Sequence, residues 1–387
     1  MTQAKRICFL FNHDQTHQIA HSLPIALVLA EREGVAVTLA VTSDAIAGQI
    51  ERIAGSSLLQ MEIVRLDLQS TFSRFTRMAF DKIVPARKLL IYRDNLEFFR
   101  QFDAIVVTEK TSLILKTRYG LDQVKIIHTR HGAGDRSIGF NKESALFDLS
   151  LVAGEKIARR LQAEAGVSRE RIAITGYAKF DLYADVRADL PFPDSDKPTV
   201  LYNPHPSPRL SSWFAMGERV LNELTASDRY NVIFAPHVML FARRNVVTIA
   251  PPAFRRVRAL APALTARTNL LVDQGSAAST DMSYTNAADI YIGDVSSQVY
   301  EFLRRPRPCL HLDAHGVDWR DDPSYLHWHA GPVAGRRANI VEAVDEAIAT
   351  HGDYLASQRA MLADTFSITD ETAANRSAHA ILDLLNG

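Results

Sequence analysis

Short runs dense in Val, Ile and Leu alternate with longer helix-like segments along most of the chain. RICFLF, VAVTLAVTS, DAIVVTE, VKIIHTR, LSLVAG and RIAITG come first; TVLYNP, YNVIFAP, NLLVD, ADIYIGD and PCLHLD follow. A strand with one wet face alternates apolar and polar residues, whereas a run that is apolar throughout suits a strand buried on both faces of a helix-covered parallel sheet. Ser22–Glu33, Gly154–Ala165, Ser211–Ala226 and Gln298–Arg304 read as the helical crossovers such a sheet requires, so the pattern predicts an α/β protein. Ile340–Thr350, Tyr354–Ala363 and Glu371–Leu385 also read as helices.

A seam divides the pattern. RADLPFPDSDKPT, Arg187–Thr199, holds three prolines and three aspartates with little to bury. It predicts an N-terminal domain over 1–187 and a C-terminal domain over 188–370, with a helix in 371–387 that caps the second domain or crosses back to the first. A chain of 387 residues has room for two such cores. Ligands of open α/β sheets sit beyond the carboxyl ends of the strands, so the loops after the strands are where chemistry is expected.

Charge and cysteine narrow the classes. Lys plus Arg and Asp plus Glu balance at 44 each, so the chain lacks the basic field of a non-specific nucleic-acid binder. Cys8 and Cys309 both lie in apolar runs, which fits two small core residues and not a disulfide framework or a cysteine-built zinc site. The apolar run Ile7–Phe11 is too short for a signal-peptide core, and no run approaches the ~20 residues of a membrane span. A cytoplasmic protein is expected. One local imbalance stands out: Ser70–Arg93 carries Arg74, Arg77, Lys82, Arg87, Lys88 and Arg93 against Asp81 alone, interleaved with aromatic and aliphatic residues. It reads either as a patch for anionic lipid on the inner membrane face or as solvated helices with their apolar faces buried.

The familiar short motifs are absent: no G-x-G-x-x-G follows the first strand, and there is no P-loop, H-E-x-x-H or G-x-S-x-G. Polar residues after the strands remain. KIIHTRHGAGDRSIGF, Lys125–Phe140, empties a strand into His128, Arg130, His131, Asp135 and Arg136. TVLYNPHPSPR ends on Tyr202, Asn203, His205 and Arg209 among three prolines, and NVIFAPHVML on His237. ADIYIGDVSSQVYEF passes through Asp294, Ser296 and Ser297 into a helix whose free N–H groups suit a diphosphate. His13, His17 and His21 are spaced four apart; a helix would align them as metal ligands, whereas a loop after the first strand would make them an acceptor surface. His311, His315, His327 and His329 flank Trp319 and Trp328 in a late loop that either meets a nucleotide base or packs.

These motifs together resemble the CDP-glycerol glycerophosphotransferase family, which builds teichoic-acid-like or capsular polymers. The resemblance runs over roughly 125–313 through RHG, GYAKFD at Gly176–Asp181, LYNPHPSPR, APH and ADIYIGDVSSQVYEF, and is strongest at Asp289–Ser297. It implies a GT-B type α/β fold, two Rossmann-like domains with parallel sheets facing a central cleft. It implies His131 as general base on the acceptor hydroxyl; from the sequence itself Asp135 and Asp148 are the two candidates to orient it. His237, Ser296 and Ser297 take the donor diphosphate, with Tyr202, Asn203, His205, Arg209 and Asp294 lining the donor side. His13, His17, Arg130 and Gly132 fall to the acceptor side. No metal and no bound cofactor is implied: CDP-glycerol or a nucleotide sugar is a substrate, and the acceptor a glycan or lipid-linked hydroxyl. Other readings stay open: a nucleotide-sugar glycosyltransferase, an enzyme like UDP-N-acetylglucosamine 2-epimerase drawing on Glu109, Asp273 or Asp294, or a non-catalytic nucleotide-binding subunit.

Overall fold

A computed structural model describes residues 4–13, 15–68, 86–193, 195–248 and 252–387. The apolar runs become strands: β1 Lys5–Phe11, β2 Val35–Val41, β3 Glu62–Arg65, β4 Ala104–Val107, β5 Lys125–Thr129, β6 Leu149–Val152 and β7 Ile172–Ile174. They form one sheet ordered β3-β2-β1-β4-β5-β6-β7, with every pairing parallel. Burial on both faces explains the unbroken apolarity. In β1, Ile7, Phe9 and Phe11 pack on one side with Leu23, Leu29, Ala378 and Ile381, while Cys8 and Leu10 pack on the other with Tyr92, Phe99 and Leu115.

A second sheet follows. β8 Thr199–Asn203, β9 Asn231–Phe234, β12 Leu270–Val272, β13 Ile290–Gly293, β14 Cys309–Asp313 and β15 Val333–Gly335 pair in the order β12-β9-β8-β13-β14-β15, again all parallel. A separate antiparallel pair joins β10 Asn245–Thr248 to β11 Ala253–Arg256. The strands that pattern alone passes over are short or polar: Glu62–Arg65 is exposed at both ends, and Ala253–Arg256 is mostly exposed.

The chain divides into two compact units. Unit 1 comprises 1–131, 140–182 and 364–387; unit 2 comprises 132–139 and 183–363. The chain therefore enters unit 2 for eight residues directly after His131 and returns at Phe140. The C-terminal helix Ala373–Asn386 belongs to unit 1, where Ala374, Ala378 and Ile381 join the core and Lys5 Nζ donates to the Leu385 carbonyl at 2.7 Å. The order in which strands are added to each sheet reverses once, between β1 and β4 in unit 1 and between β8 and β13 in unit 2, while all strands stay parallel. The loops after those four strands flank the crevice that open α/β sheets use for ligands.

Both cysteines are buried and free. Among the described residues no helix is long and apolar enough to cross a membrane. Most of the basic stretch, residues 69–85, lies outside the described residues; of its remainder, Lys88 pairs with Glu109 at 2.5 Å and Arg93 with Asp94 at 3.2 Å.

Candidate functional site

At the carboxyl edge of unit 1 the organising group is Thr108, the first residue after β4. Its carbonyl meets His131 Nδ1 at 3.1 Å and His128 Nε2 at 3.3 Å, and its hydroxyl meets His13 Nδ1 at 3.1 Å. A carbonyl can only accept, so both ring nitrogens facing it must carry hydrogens. Neutral His131 is thereby held with its proton on Nδ1 and a free lone pair on Nε2, the form a general base needs. Burial holds the His131 imidazole below the ordinary histidine range, against an opposing pull from the Thr108 carbonyl. His128 lies flat on Phe147, 4.4 Å between ring centroids, and is a packed, neutral strand residue.

In unit 2 the organising group is Asp294, which is 1 % exposed. One carboxylate oxygen accepts from the N–H groups of His205 at 2.9 Å and Val295 at 2.6 Å. The other accepts from the N–H and hydroxyl of Ser212 at 2.6 and 2.8 Å. Since the Ser212 hydroxyl gives its proton to Asp294, Tyr202 donates to Ser212 Oγ at 2.9 Å. The Asp294 carbonyl accepts from Trp328 Nε1 at 2.7 Å and stands 2.8 Å from His327 Nε2. One residue thus binds the loops after β8 and β13 to the late histidine-tryptophan segment.

The 132–139 strap is seated on the same framework. Asp135 is 2 % exposed and its Oδ2 accepts from Tyr300 at 2.6 Å, from His327 Nδ1 at 2.9 Å and from the His327 N–H at 3.3 Å. Gly132 adopts φ +80°, and a Cβ built on Gly134 would stand 3.0 Å from Ser297 Cβ. These glycines let the strap backbone lie against Ser297. Beside the seated carboxylate, Arg136 Nη1 stands 3.2 Å from His205 Nε2.

Three hydrogen-bond donors gather there without enough acceptors. His237 Nδ1 accepts from the Met239 N–H at 3.2 Å, so the neutral ring carries its hydrogen on Nε2; burial, aided by the Arg136 charge, lowers this histidine to about 4. His205 Nδ1 accepts from the Ser207 N–H at 3.0 Å, which puts its hydrogen on Nε2, facing the Arg136 guanidinium. A neutral imidazole has one lone pair and cannot accept at both nitrogens, so one pair of donors stays opposed. The His205 and His237 rings are 5.9 Å apart, and among the described residues Arg136 has no carboxylate partner. An anion accepting from Arg136, His205 and His237 would resolve the opposition.

Several residues expected to touch substrate have other work. Tyr202 is fully buried in the unit 2 core, and Asn203, also fully buried, ties Ala235 O at 2.6 Å to Tyr291 at 3.3 Å. Arg209 donates to the Pro252 carbonyl at 3.1 Å, and Asp294 spends its carboxylate on four loop donors. Asp135 holds His327, and Asp148 pairs with Lys116, so the partner identified for His131 is a backbone carbonyl. Arg130 lies over the Phe140 ring at 4.5 Å, and Gly132 belongs to the strap of unit 2. Ser296 Oγ accepts from the Gln298 N–H at 3.4 Å, ahead of a helix of five residues. His17 falls in the 3-10 turn Thr16–His21, where the four-residue spacing no longer aligns rings. Among the described residues no group of three or more His, Cys, Asp and Glu could hold a metal ion. Thr108 and Ser212 carry no signal of these contacts in the sequence. Arg136 stood in the loop's motif, but nothing in its spacing pointed to His205.

Burial keeps several histidines neutral: His13, held down to about 3, His237, and His21, His128, His205 and His311. Each has a folded-state pKa below its unfolded value of 6.5, so the unfolded chain takes up protons first as pH falls. Their stabilisation is complete above about pH 6.5 and is lost from there downward. Urea unfolding at pH 7 and pH 5 should show several kcal/mol lost at the lower pH; a flat profile across that window would contradict the neutral assignments.

As a sequence, the chain matches no family model and no curated protein. Solved structures do match over its whole length. MnaA of S. aureus with UDP gives a TM-score of 0.61 at 15 % identity, covering 99 % of this chain and 97 % of that one. The wall teichoic acid polymerase TagF, in a variant soaked with CDPG, gives 0.61 at 14 %, covering 99 % and 89 %. UDP-GlcNAc 2-epimerase from Neisseria meningitidis bound to UDP-GlcNAc gives 0.59 at 11 %, covering 98 % and 99 %. At such identities the likeness establishes the fold: two parallel-sheet α/β domains of the GT-B type.

Proposed function

We propose that the protein is a transferase that moves a glycerol-phosphate or sugar unit from a nucleotide-diphosphate donor to a hydroxyl of a cell-envelope glycan or lipid-linked acceptor in the cytoplasm. The observation that carries this reading is the set of opposed donors on Arg136, His205 and His237 at the reversal point of the unit 2 sheet. Proteins of the same fold hold UDP or CDPG, which supports a nucleotide diphosphate as the anion. His131 Nε2 takes the proton of the acceptor hydroxyl as its oxygen forms the new bond. In glycerophosphate transfer that bond is to the phosphorus carrying glycerol, the phosphoanhydride breaks and CMP leaves. In glycosyl transfer it is to the anomeric carbon, and a nucleoside diphosphate leaves. Arg136, with the N–H groups of His205 and His237, stabilises the charge on the departing phosphate in either case.

A histidine base fits the chain better than the carboxylate chemistry of an epimerase. Glu109 is paired with Lys88, Asp273 accepts from Ser276, Gly275 and Tyr284, and Asp294 serves four donors. The leaving group separates the reactions. Incubation with CDP-glycerol and with UDP-N-acetylglucosamine, each in the presence of a cell-envelope glycan and lipid fraction as acceptor, followed by chromatography of the nucleotides, should give His131-dependent CMP or UDP. Release of neither, or a change at the sugar's second carbon without nucleotide release, would sink the transferase reading.

A further inference from the structure

The chain balances its charges overall, but not along its length. Between Asp228 and Asp273 it carries seven arginines and no acidic residue. Five of them, Arg243, Arg244, Arg255, Arg256 and Arg258, lie on or beside the β10–β11 hairpin of unit 2; all five are exposed, and none has a carboxylate partner among the described residues. Two large apolar side chains are exposed among them: Phe254 at 57 % and Met239, in the turn that leads into the hairpin, at 50 %. The register shows how the hairpin is mounted. Val246 lies opposite Arg255, and with Val257 it falls on the face that packs into the unit 2 core, whereas Phe254 and Arg256 fall on the other face, toward solvent. Arg209, from the loop after β8, donates to the Pro252 carbonyl at 3.1 Å and holds the start of β11.

We propose that the β10–β11 hairpin docks unit 2 onto an anionic lipid surface, with its arginines on the headgroups and Phe254 and Met239 at the boundary of the acyl chains. Five guanidinium groups on one short ribbon fall within the range of about four to eight basic residues that holds a protein on anionic lipid. Each can take a lipid phosphate through two parallel N–H bonds. Charges on an exposed strand also discourage pairing with another chain, but that role gives no reason to leave a phenyl ring in the open beside them. A nucleic-acid duplex would match the charge, yet it offers no apolar phase to Phe254 and Met239. A bilayer interface supplies both partners. The surface is separate from the basic stretch at 70–93, and it rests on no part of the transferase reading.

Vesicle flotation of the full chain tests this with no nucleotide or acceptor present. Vesicles of phosphatidylcholine alone are compared with vesicles that also hold phosphatidylglycerol at about 30 mol %. At about 0.1 M salt the wild type should bind the anionic vesicles at least about tenfold better than the neutral ones, and about 0.5 M salt should release most of it. Arg255→Glu/Arg256→Glu should lose at least about tenfold in binding, and Phe254→Ser about threefold or more. Both should melt within about 3 °C of the wild type, because the altered side chains are exposed. Arg243→Glu/Arg258→Glu removes the same charge from the neighbouring positions and should reproduce the loss, which separates charge from any local misfolding in the first pair. Indifference of the wild type to anionic vesicles, equal binding to neutral ones, or charge-reversed variants that bind as well as the wild type would each overturn the proposal. So would a DNA duplex that binds through these arginines where vesicles do not, which would reassign the surface to nucleic acid. Failure here leaves the transferase reading intact, and failure of CMP or UDP release leaves the lipid surface standing.

Discussion

His131→Ala is expected to lower the rate of transfer by about 10²- to 10⁴-fold, the usual worth of a positioned general base, while nucleotide binding stays within about twofold of the wild type. The reason lies in one carbonyl. Thr108 O takes the Nδ1 hydrogen of His131 and leaves Nε2 bare, and burial keeps the ring neutral below the ordinary histidine pKa. The sign of the pH effect follows. A lowered pKa leaves the base form fully populated at pH 7, so the acid limb of kcat/KM should fall below pH 6.5. His131→Gln should share the loss, because an amide nitrogen at the same place has no proton affinity. Transfer by His131→Ala within tenfold of the wild type, or an acid limb above pH 7, would show that another group is the base.

Asp294→Ala should give the largest loss of stability among the residues of the loops after β8 and β13. The change strips an acceptor from three buried N–H groups, on His205, Val295 and Ser212, and from the hydroxyl that links Ser212 to Tyr202. Each buried donor left without a partner costs about 1–3 kcal/mol, so the variant should unfold at least ~3 kcal/mol more easily in urea. Asp294→Asn should fall between. Its amide oxygen can serve one pair of donors, but its NH₂ then faces the Ser212 N–H, which cannot turn away, whereas the Ser212 hydroxyl can rotate to accept. A loss below about 1 kcal/mol for Asp294→Ala would mean the loops after β8 and β13 are held by something else.

The sheet strands were legible because burial on both faces leaves no polar position, and that signature survives in sequence without any knowledge of partners. The runs ICFLF, AIVV and IYIG became β1, β4 and β13. Glu62–Arg65 escaped because it is a short edge strand with polar ends, and Val333–Gly335 because VAG, with only its middle residue buried, offers no apolar run. The helix expected over Ser211–Ala226 begins as a π-turn at Trp213–Gly217 before Glu218–Ala226 continues it; a Cβ on Gly217 would strike the Trp213 ring at 2.2 Å. Close approach of that kind is a tertiary fact with no local sequence signal.

The site divides the same way. Strand-end loops could be recognised by their polar residues, but not the direction in which each side chain points. Asp135, four residues from His131, is the natural choice to orient it, yet its carboxylate is drawn to Tyr300 and His327, residues 165 and 192 positions away. Tyr202 sits at a strand end with its ring in the core, because the strand's period sends alternate residues inward to the last turn. Arg136 was hidden for the converse reason: its meaning depends on His205, 69 residues later in the chain.

The most direct test of the proposed donor site is calorimetric titration of CDP and UDP into the wild type and Arg136→Ala at pH 7.5. Binding at one site in the wild type, weakened about 10- to 100-fold by Arg136→Ala, is the expected result, since one desolvated charge-assisted contact would be lost. If neither nucleotide binds the wild type, or Arg136→Ala binds as tightly, then Arg136, His205 and His237 do not form a diphosphate site.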